Sequence, residues 1–371
     1  MQESSEGKLG VREYTAIMML TIGVKLADDT PTIIYNKVHN SGWMTALITG
    51  IIASIPIFLT LNVLSRYKGK NLYMVFKLLF GKVFGFFISL CLLTIMFAQT
   101  IVDMRVNVDI ISTLYFTRTP AIVIFALLIT VCAYMAKKGI QYVGSTAWMI
   151  LPYVKITLLL ALVLTFFEGY LFSIFPFWGP GVIEIGKQSA AFSSLYFDFF
   201  LAAILATSIK SFKDFKKGTW IAFAFLITEL TVSLLAFICL FDFPAVTEQA
   251  YPFHSVIRYI RLGNFLTHME TFFLPFWVIA TFVRFAVLLY MNAMLIGDIF
   301  HIKEFEYLLP ALGIIMLLIG LVPESPSFVT YYLKIAILQI ETPVFISLPI
   351  LMWIFSKAGD SKNEPKKNHY N

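Results

Sequence analysis

Long apolar runs alternate with short polar segments along almost the whole chain. A helix of about 20 apolar residues crosses the roughly 30 Å hydrocarbon core of a bilayer, and these runs have about that length. Ten of them can be delimited, at Tyr14–Tyr35, Trp43–Leu64, Val83–Tyr115, Pro120–Ala136, Tyr142–Phe167, Gln188–Ile209, Thr219–Phe241, Leu266–Ile296, Tyr307–Val322 and Leu333–Phe355. The pattern predicts an all-α integral membrane protein with about ten transmembrane helices.

Composition indicates a protein that has lipid as its solvent. Of the 371 residues, 59% are hydrophobic and 13% are charged, which is outside the range of a water-soluble domain. The longest polar stretch is the tail at 356–371. This tail has no apolar periodicity, so we expect one transmembrane domain and no soluble domain.

The distribution of basic residues predicts the orientation in the membrane. If residues 1–13 lie in the cytoplasm, most basic residues of the short loops and of the tail are cytoplasmic as well, as the positive-inside rule requires. Few remain outside, namely Lys37, Arg118, Lys187, Arg258, Arg261 and Lys334. The net charge of +6 is spread over several loops and forms no basic stripe, so no nucleic-acid partner is predicted.

The sequence contains no signal for processing, cofactor binding or catalysis. Lys25, Asp28 and Asp29 interrupt the first run, so a removable signal peptide is not expected. The three cysteines lie singly in apolar runs, without the spacing of a disulfide or a metal site. No motif of a hydrolase, a metalloprotease or a phosphate-binding loop occurs. We therefore predict no enzyme activity, no catalytic residue, no metal and no cofactor.

Ionisable side chains at membrane depth are the candidate functional residues, because burying such a group is costly unless it is paired or hydrated. They are Lys25, Asp28, Asp29, Asp103, Arg105, Asp109, Lys155, Asp198, Glu229, Glu270 and Arg284.

The first run contains a helix-start signal in its middle. The sequence Asp28-Asp29-Thr30-Pro31 places capping residues before a proline. A helix broken there frees backbone groups, which is tolerable at membrane depth where they line a cavity or bind a ligand. The alternative is that the first span ends near Ala27 and that the acidic pair lies at the water interface.

Lys155 and Glu229 lie near the middle of the fifth and seventh spans, so each needs a buried explanation. A carboxylate such as Asp28 or Asp29 is a candidate partner for Lys155. Burial disfavours the charged form of a lysine, whereas a neighbouring carboxylate favours it. A lysine balanced between these two effects can exchange protons. A permanent ion pair that holds two helices together is the alternative.

The third and eighth spans carry further charges. Arg105 and Asp109 are four residues apart and can pair along one helix face, while Asp103 points elsewhere. Arg284 lies in the inner part of the eighth span, and we expect its side chain to extend to the cytoplasmic interface.

The sixth span offers hydroxyl and carboxylate groups. Ser193, Ser194 and Asp198 can contact a small polar ligand, although a helix-packing role is the alternative for the serines. No Gly or Pro occurs within Gln188–Ile209, so the sequence indicates no break in this helix.

Several short motifs resemble one known family. They are the opening Gly10-Val11-Arg12-Glu13, the break at Pro31, Arg118-Thr119-Pro120 before the fourth span, Tyr251-Pro252, and Glu270-Thr271-Phe272 with Trp277 in the eighth span. Together with the chain length and the helix number, they resemble the spore germination permeases, the integral-membrane B subunits of germinant receptors in endospore-forming bacteria. This family belongs to the amino acid-polyamine-organocation superfamily.

The resemblance implies a LeuT-like fold of two inverted five-helix repeats, at residues 14–167 and 188–355. It also implies a small-ligand site at mid-membrane, between the first, third, sixth and eighth helices. The function implied is the sensing of a nutrient, expected to be an amino acid, together with A-type and C-type (lipoprotein) receptor subunits in the spore inner membrane or the cell membrane. The alternative is a proton-coupled amino-acid transporter of the same superfamily.

The chain departs from the family at the first helix, where the family has a glycine-rich turn before the proline. Here one glycine remains, and a cation and two anions are added. We therefore predict that the ammonium group of the ligand, or a proton, meets Asp28 or Asp29. The predicted ligand-binding residues are Gly23, Lys25, Asp28, Asp29, Thr30, Asp103, Ser193, Ser194 and Asp198. The predicted proton-coupling or ion-pair residues are Lys155 and Glu229.

Overall fold

The computed structural model describes residues 8–260 and 269–363. Arg261, the first residues of the predicted eighth span and the end of the predicted tail lie outside the described residues. The helices are α1 (Val11–Gly23), α2 (Thr30–Val38), α3 (Gly42–Arg66), α4 (Leu72–Phe80), α5 (Lys82–Ile110), α6 (Ala121–Lys137), α7 (Ile140–Glu168), α8 (Val182–Ala191), α9 (Asp198–Leu201), α10 (Phe212–Phe241), α11 (Pro252–Tyr259), α12 (Met269–Phe300), α13 (Leu309–Gly320), α14 (Pro326–Phe328) and α15 (Ile335–Asn363).

The described residues form an all-α membrane protein, as the hydropathy pattern predicts. Seven of their helices, some of them continuous through short irregular turns, are long and apolar enough to cross a membrane, and α6 and the segment Phe305–Gly320 are shorter apolar helices. The first predicted run is divided between α1 and α2. All ten predicted runs are therefore helical over their described parts.

The first helix is broken at the predicted place. Helix α1 ends at Gly23, a 3₁₀ turn covers Val24–Leu26, and α2 begins at Thr30. Oδ1 of Asp28 accepts a hydrogen bond from the backbone N–H of Thr30 at 2.7 Å. Pro31 occupies the first turn of α2, where its missing N–H leaves no helical bond unmade. The broken helix is confirmed, and Asp28 and Asp29 are buried rather than at a water interface.

The sixth span is also irregular, which the sequence did not indicate. Helix α8 gives way to a 3₁₀ turn at Phe192–Tyr196, and after the short α9 a second 3₁₀ segment covers Ala202–Ser208. A carbonyl in the first turn, that of Leu195, accepts a hydrogen bond from the ammonium group of Lys25 at 3.1 Å. The irregular turn is therefore stabilised by a distant side chain rather than by a local Gly or Pro.

Helix α1 lies at the centre of the bundle, in contact with α7, α10 and α12, and all its residues from Tyr14 to Ile22 are buried. Two glycines permit this close packing. A Cβ atom at Gly144 of α7 would lie 2.5 Å from the Leu9 side chain, and one at Gly218 of α10 would lie 2.6 Å from the Tyr14 ring. Small residues allow the backbones of membrane helices to approach in this way.

The segment before α1 is attached to the end of the sixth span. Leu9 forms a parallel β-bridge with Ile209. Its N–H donates to the carbonyl of Ser208 at 2.9 Å, and its carbonyl accepts from the N–H of Lys210 at 2.9 Å. We call this pair of hydrogen bonds the Leu9 clamp.

Candidate functional site

The acidic pair at the helix break binds a lysine from the last span. Nζ of Lys334 lies 2.8 Å from Oδ2 of Asp28 and also pairs with Asp29. Lys334 ends a π-helical turn, Val329–Lys334, that leads into α15, and it is 5% exposed. The prediction that Lys334 lies in an outer loop is therefore wrong, because two buried carboxylates hold its charge inside the bundle.

Lys25 connects the break to the sixth span. Its Nζ lies 2.7 Å from Oδ2 of Asp198. The other oxygen of this carboxylate accepts a hydrogen bond from Nε2 of Gln99, on α5, at 3.2 Å. The structure thus brings two predicted ligand-binding residues, Lys25 and Asp198, into one buried ion pair.

Arg284 of α12 completes this network. Its guanidinium pairs with Asp103, lies 3.5 Å from Oδ2 of Asp198 and donates a hydrogen bond to the carbonyl of Thr21. Arg284 is only 1% exposed. The prediction that it extends to an interface is wrong, because two carboxylates and a carbonyl satisfy the guanidinium in the interior.

The charges of these residues do not balance. We call them the central network: Lys25, Arg284 and Lys334 as cations, with Asp28, Asp29, Asp103 and Asp198 as anions. Three cations face four aspartates, and Glu341 of α15, which sequence reasoning missed, adds a further carboxyl. Glu341 is 1% exposed and its Oε1 has no hydrogen-bond partner. Its place well inside the last apolar run was the signal that would have identified it.

A small cavity lies inside the central network. Its volume is about 20 Å³, and polar residues from four segments line it, namely Lys25, Thr30, Gln99, Asp103, Lys334 and Glu341. A water molecule needs roughly 10–15 Å³ of such space. The cavity therefore holds one water-sized group.

A second, partly buried ion pair lies near the end of α1. Nζ of Lys155 is 2.7 Å from both carboxylate oxygens of Glu229. The suggested pairing of Lys155 with Asp28 or Asp29 is wrong, because Lys155 binds Glu229 of the adjacent α10, a pairing that the sequence did not indicate. A Cβ atom at Gly23 would lie 3.2 Å from this Nζ and 3.3 Å from Oε1 of Glu229, so the end of α1 contacts the pair.

The two serines of the sixth span differ in their surroundings. Ser194 shares a 3.0 Å hydrogen bond with Thr342 of α15, which is a helix-packing contact. The hydroxyl of Ser193 is buried and has no partner.

The predicted pair on the third span is present. Nε of Arg105 lies 2.9 Å from Oδ1 of Asp109, and Nη1 of Arg105 donates to the carbonyl of Gly320 at 3.0 Å. This pair joins α5 to the end of α13 and does not belong to the central network.

A helical cap covers the broken helix. His254 of α11 is fully buried, and its Nδ1 lies 2.7 Å from the hydroxyl of Tyr115. Burial, and then the charge of Arg258, lower the pKa of His254 to about 3, although the nearby backbone of Ala27 opposes this shift. The imidazole is therefore neutral at physiological pH.

A groove of about 890 Å³ lies between α5, α13 and the last span, and apolar side chains form most of its lining. Val102 and Ile337 line both this groove and the small central cavity. The lining of the groove is mainly apolar, so we place the candidate site at the central network and not in the groove.

The central network connects most of the segments around the broken helix. Within residues 8–260 and 269–363, no group of three His, Cys, Asp or Glu side chains is placed to hold a metal ion. The central network joins both halves of the broken helix to α5, to the sixth span, to α12 and to the last span. A ligand that changes the balance of its charges therefore acts on all of these segments together.

Comparison with solved structures shows a transporter fold. The chain is similar to Mhp1, a nucleobase-cation-symport-1 family transporter solved in a closed conformation with bromovinylhydantoin bound, with a TM-score of 0.55 and 13% identity over 94% of this chain and 78% of that one. At this identity the likeness shows the fold alone, and it confirms the predicted LeuT-like class.

Sequence comparison shows the family. Residues 13–329 match the permease family described as "Spore germination protein". Among curated proteins of Bacillus subtilis (strain 168), the chain is 22% identical to spore germination protein YndE, over 95% of this chain and 98% of the relative. It is 25% identical to spore germination protein B2, over 85% and 86% of the two chains. With its broken first helix and its buried ion pairs, this multi-span membrane protein belongs to the spore germination permease family.

Proposed function

We propose that the chain is the permease-like subunit of a spore germinant receptor, which binds a small nutrient, an amino acid, at the central network. Binding would change the conformation of the bundle, and A-type and C-type partner subunits would sense the change. The proposed role is ligand sensing without catalysis. We also propose that the protein lies in the spore inner membrane with both termini in the cytoplasm, and that residues 14–167 and 188–355 form two inverted repeats.

One observation carries the proposal: a cavity that holds one water-sized group is lined by buried charged residues from three segments, namely Lys25, Asp103, Lys334 and Glu341. Ligand pockets are usually about 300–1,000 Å³, so an amino acid cannot enter without movement of these segments. The state described here is then a closed one. A ligand that binds an open state better shifts the population toward it, and signalling needs no transport of solute.

The second candidate function is proton-coupled amino-acid transport, and the Lys155–Glu229 pair favours it. This pair contacts Gly23 at the break, so a change in its protonation would act directly on the end of α1. Uptake distinguishes the two functions. The purified chain alone in vesicles should show no sustained amino-acid uptake driven by a pH gradient if it is a receptor subunit, whereas such uptake would support the transporter.

Ligand binding itself is tested by thermal unfolding of the purified chain with each of the common amino acids. A ligand that binds the folded protein raises the unfolding temperature by mass action. We expect at least one amino acid to stabilise the protein and the double variant Asp28→Asn/Asp29→Asn to weaken its binding. If no amino acid changes the unfolding temperature, the proposed ligand class is wrong. Unchanged affinity in the double variant would remove Asp28 and Asp29 from the site.

A further inference from the structure

Two buried acceptor atoms beside the central cavity lack a donor. Oε1 of Gln99 and Oε1 of Glu341 have no hydrogen-bond partner, and both residues line the cavity. Both side chains are almost completely buried, with 3% and 1% exposure. Buried polar atoms are nearly always satisfied. Two unsatisfied acceptors at one cavity therefore indicate that a hydrogen-bond donor binds between them.

Electrostatics indicates that this donor is a cation. Each cation of the central network is already bound to one or two aspartates, and the aspartates outnumber the cations by one. Glu341 is a further carboxyl group, which contributes a second excess negative charge when it is ionised. Charge-assisted hydrogen bonds are roughly twice as strong as neutral ones, so a positively charged donor satisfies both the oxygen atoms and the charge balance.

The size of the cavity selects the kind of cation. A space of about 20 Å³ accepts a group about as large as a water molecule, and a primary ammonium group has that size. A quaternary ammonium group is larger and has no N–H donor. The cavity therefore fits the ammonium end of an amine and excludes a fully methylated nitrogen.

We propose that the cavity between Gln99 and Glu341 is the subsite for the primary ammonium group of the ligand, with Glu341 as its counter-ion. The inference rests on the proposed function and identifies which carboxyl of the site takes the ligand's charge. Asp28 and Asp29 are already bound to Lys334, so an ammonium group at Glu341 displaces no lysine.

The test uses thermal unfolding of the full-length purified protein with simple cations at equal ionic strength. Methylammonium chloride should raise the unfolding temperature with a half-maximal concentration on the order of 10 mM, near the limit for a ligand of two non-hydrogen atoms. Tetramethylammonium, sodium and potassium chlorides should have no such effect. Equal stabilisation by any of these three salts would overturn the proposal, and this comparison needs only the wild-type protein.

Variants then assign the effect to one carboxyl. Glu341→Gln keeps the side-chain shape but removes the negative charge, and it should raise the half-maximal concentration of methylammonium by at least about 10-fold. Glu324→Gln changes an exposed carboxyl at the groove and should leave it unchanged. An unaltered response of Glu341→Gln would show that the cation binds elsewhere.

The outcome for this subsite is distinct from that for the proposed function. Stabilisation by an amino acid that is equal in wild type and Glu341→Gln would overturn the subsite and leave amino-acid binding in place. Stabilisation by methylammonium, lost in Glu341→Gln, together with no response to any amino acid would support the subsite and contradict the proposed ligand class.

Discussion

Replacement of Lys334 by methionine should destabilise the protein strongly, because it leaves two adjacent carboxylates without their cation. The side chains of Lys334, Asp28 and Asp29 are exposed by 6%, 4% and 1%, so solvent cannot compensate. Removal of one partner from a buried ion pair costs about 3–5 kcal/mol, and two carboxylates place the cost near 5 kcal/mol. At about 2 °C per kcal/mol for a large domain, the unfolding temperature should fall by about 10 °C.

The cysteines provide the assay. Cys132 and Cys239 are buried and Cys91 is exposed, so a thiol-reactive dye reports unfolding in a Cys91→Ser background. The matched control is the triple variant Asp28→Asn/Asp29→Asn/Lys334→Met. Because it removes all three charges together and keeps the side-chain oxygen that accepts from Thr30, it should recover most of the lost stability.

Two results would refute this reasoning. A Lys334→Met protein that unfolds within about 1 °C of wild type would show that the ion pair does not hold a buried charge. A triple variant as unstable as the single one would show that the lysine acts through packing and not through its charge.

The Lys155–Glu229 pair should behave similarly. Lys155→Met should lower the free energy of unfolding by about 3–5 kcal/mol, and the double variant Lys155→Met/Glu229→Met should recover most of this loss. A double-mutant cycle measures the coupling between the two residues. Gly23→Val should separate this pair and destabilise the protein more than Gly23→Ala, because a single Cβ already approaches both charged groups within 3.2–3.3 Å. The pKa of His254 falls from 6.5 in the unfolded chain to about 3 in the folded protein, so stability should decrease as the pH falls below about 6.5 and stay constant above it. When the unfolding temperature is measured from pH 7 to pH 5, His254→Gln should show a smaller decrease than the wild type. An identical decrease in the two proteins would contradict the assignment.

The sequence predicts the features that local chemistry determines. The broken first helix follows from capping residues and a proline inside an apolar run, and the Arg105–Asp109 pair follows from helical spacing. The sixth span has no such marker. Its first irregular turn is stabilised by Lys25, which lies 170 residues away from Leu195 in the chain.

Long-range pairing explains the errors in the site. Hydropathy gives the depth of a charged residue in the membrane but not its neighbours. It therefore places Lys334, at the start of the last run, outside the membrane, and Arg284 at an interface. Their partners, Asp29 and Asp103, are 305 and 181 residues away, and no periodicity in a single sequence connects positions so far apart.

The Leu9 clamp gives the start of the chain a mechanical connection to the interior. Two backbone hydrogen bonds tie Leu9 to the end of the sixth span, and Asp198 lies in that span near its middle. A tilt of the sixth span must therefore either pull the amino-terminal segment along or break the clamp. A spectroscopic probe on Lys8 would report such motion from a position at the end of the bundle.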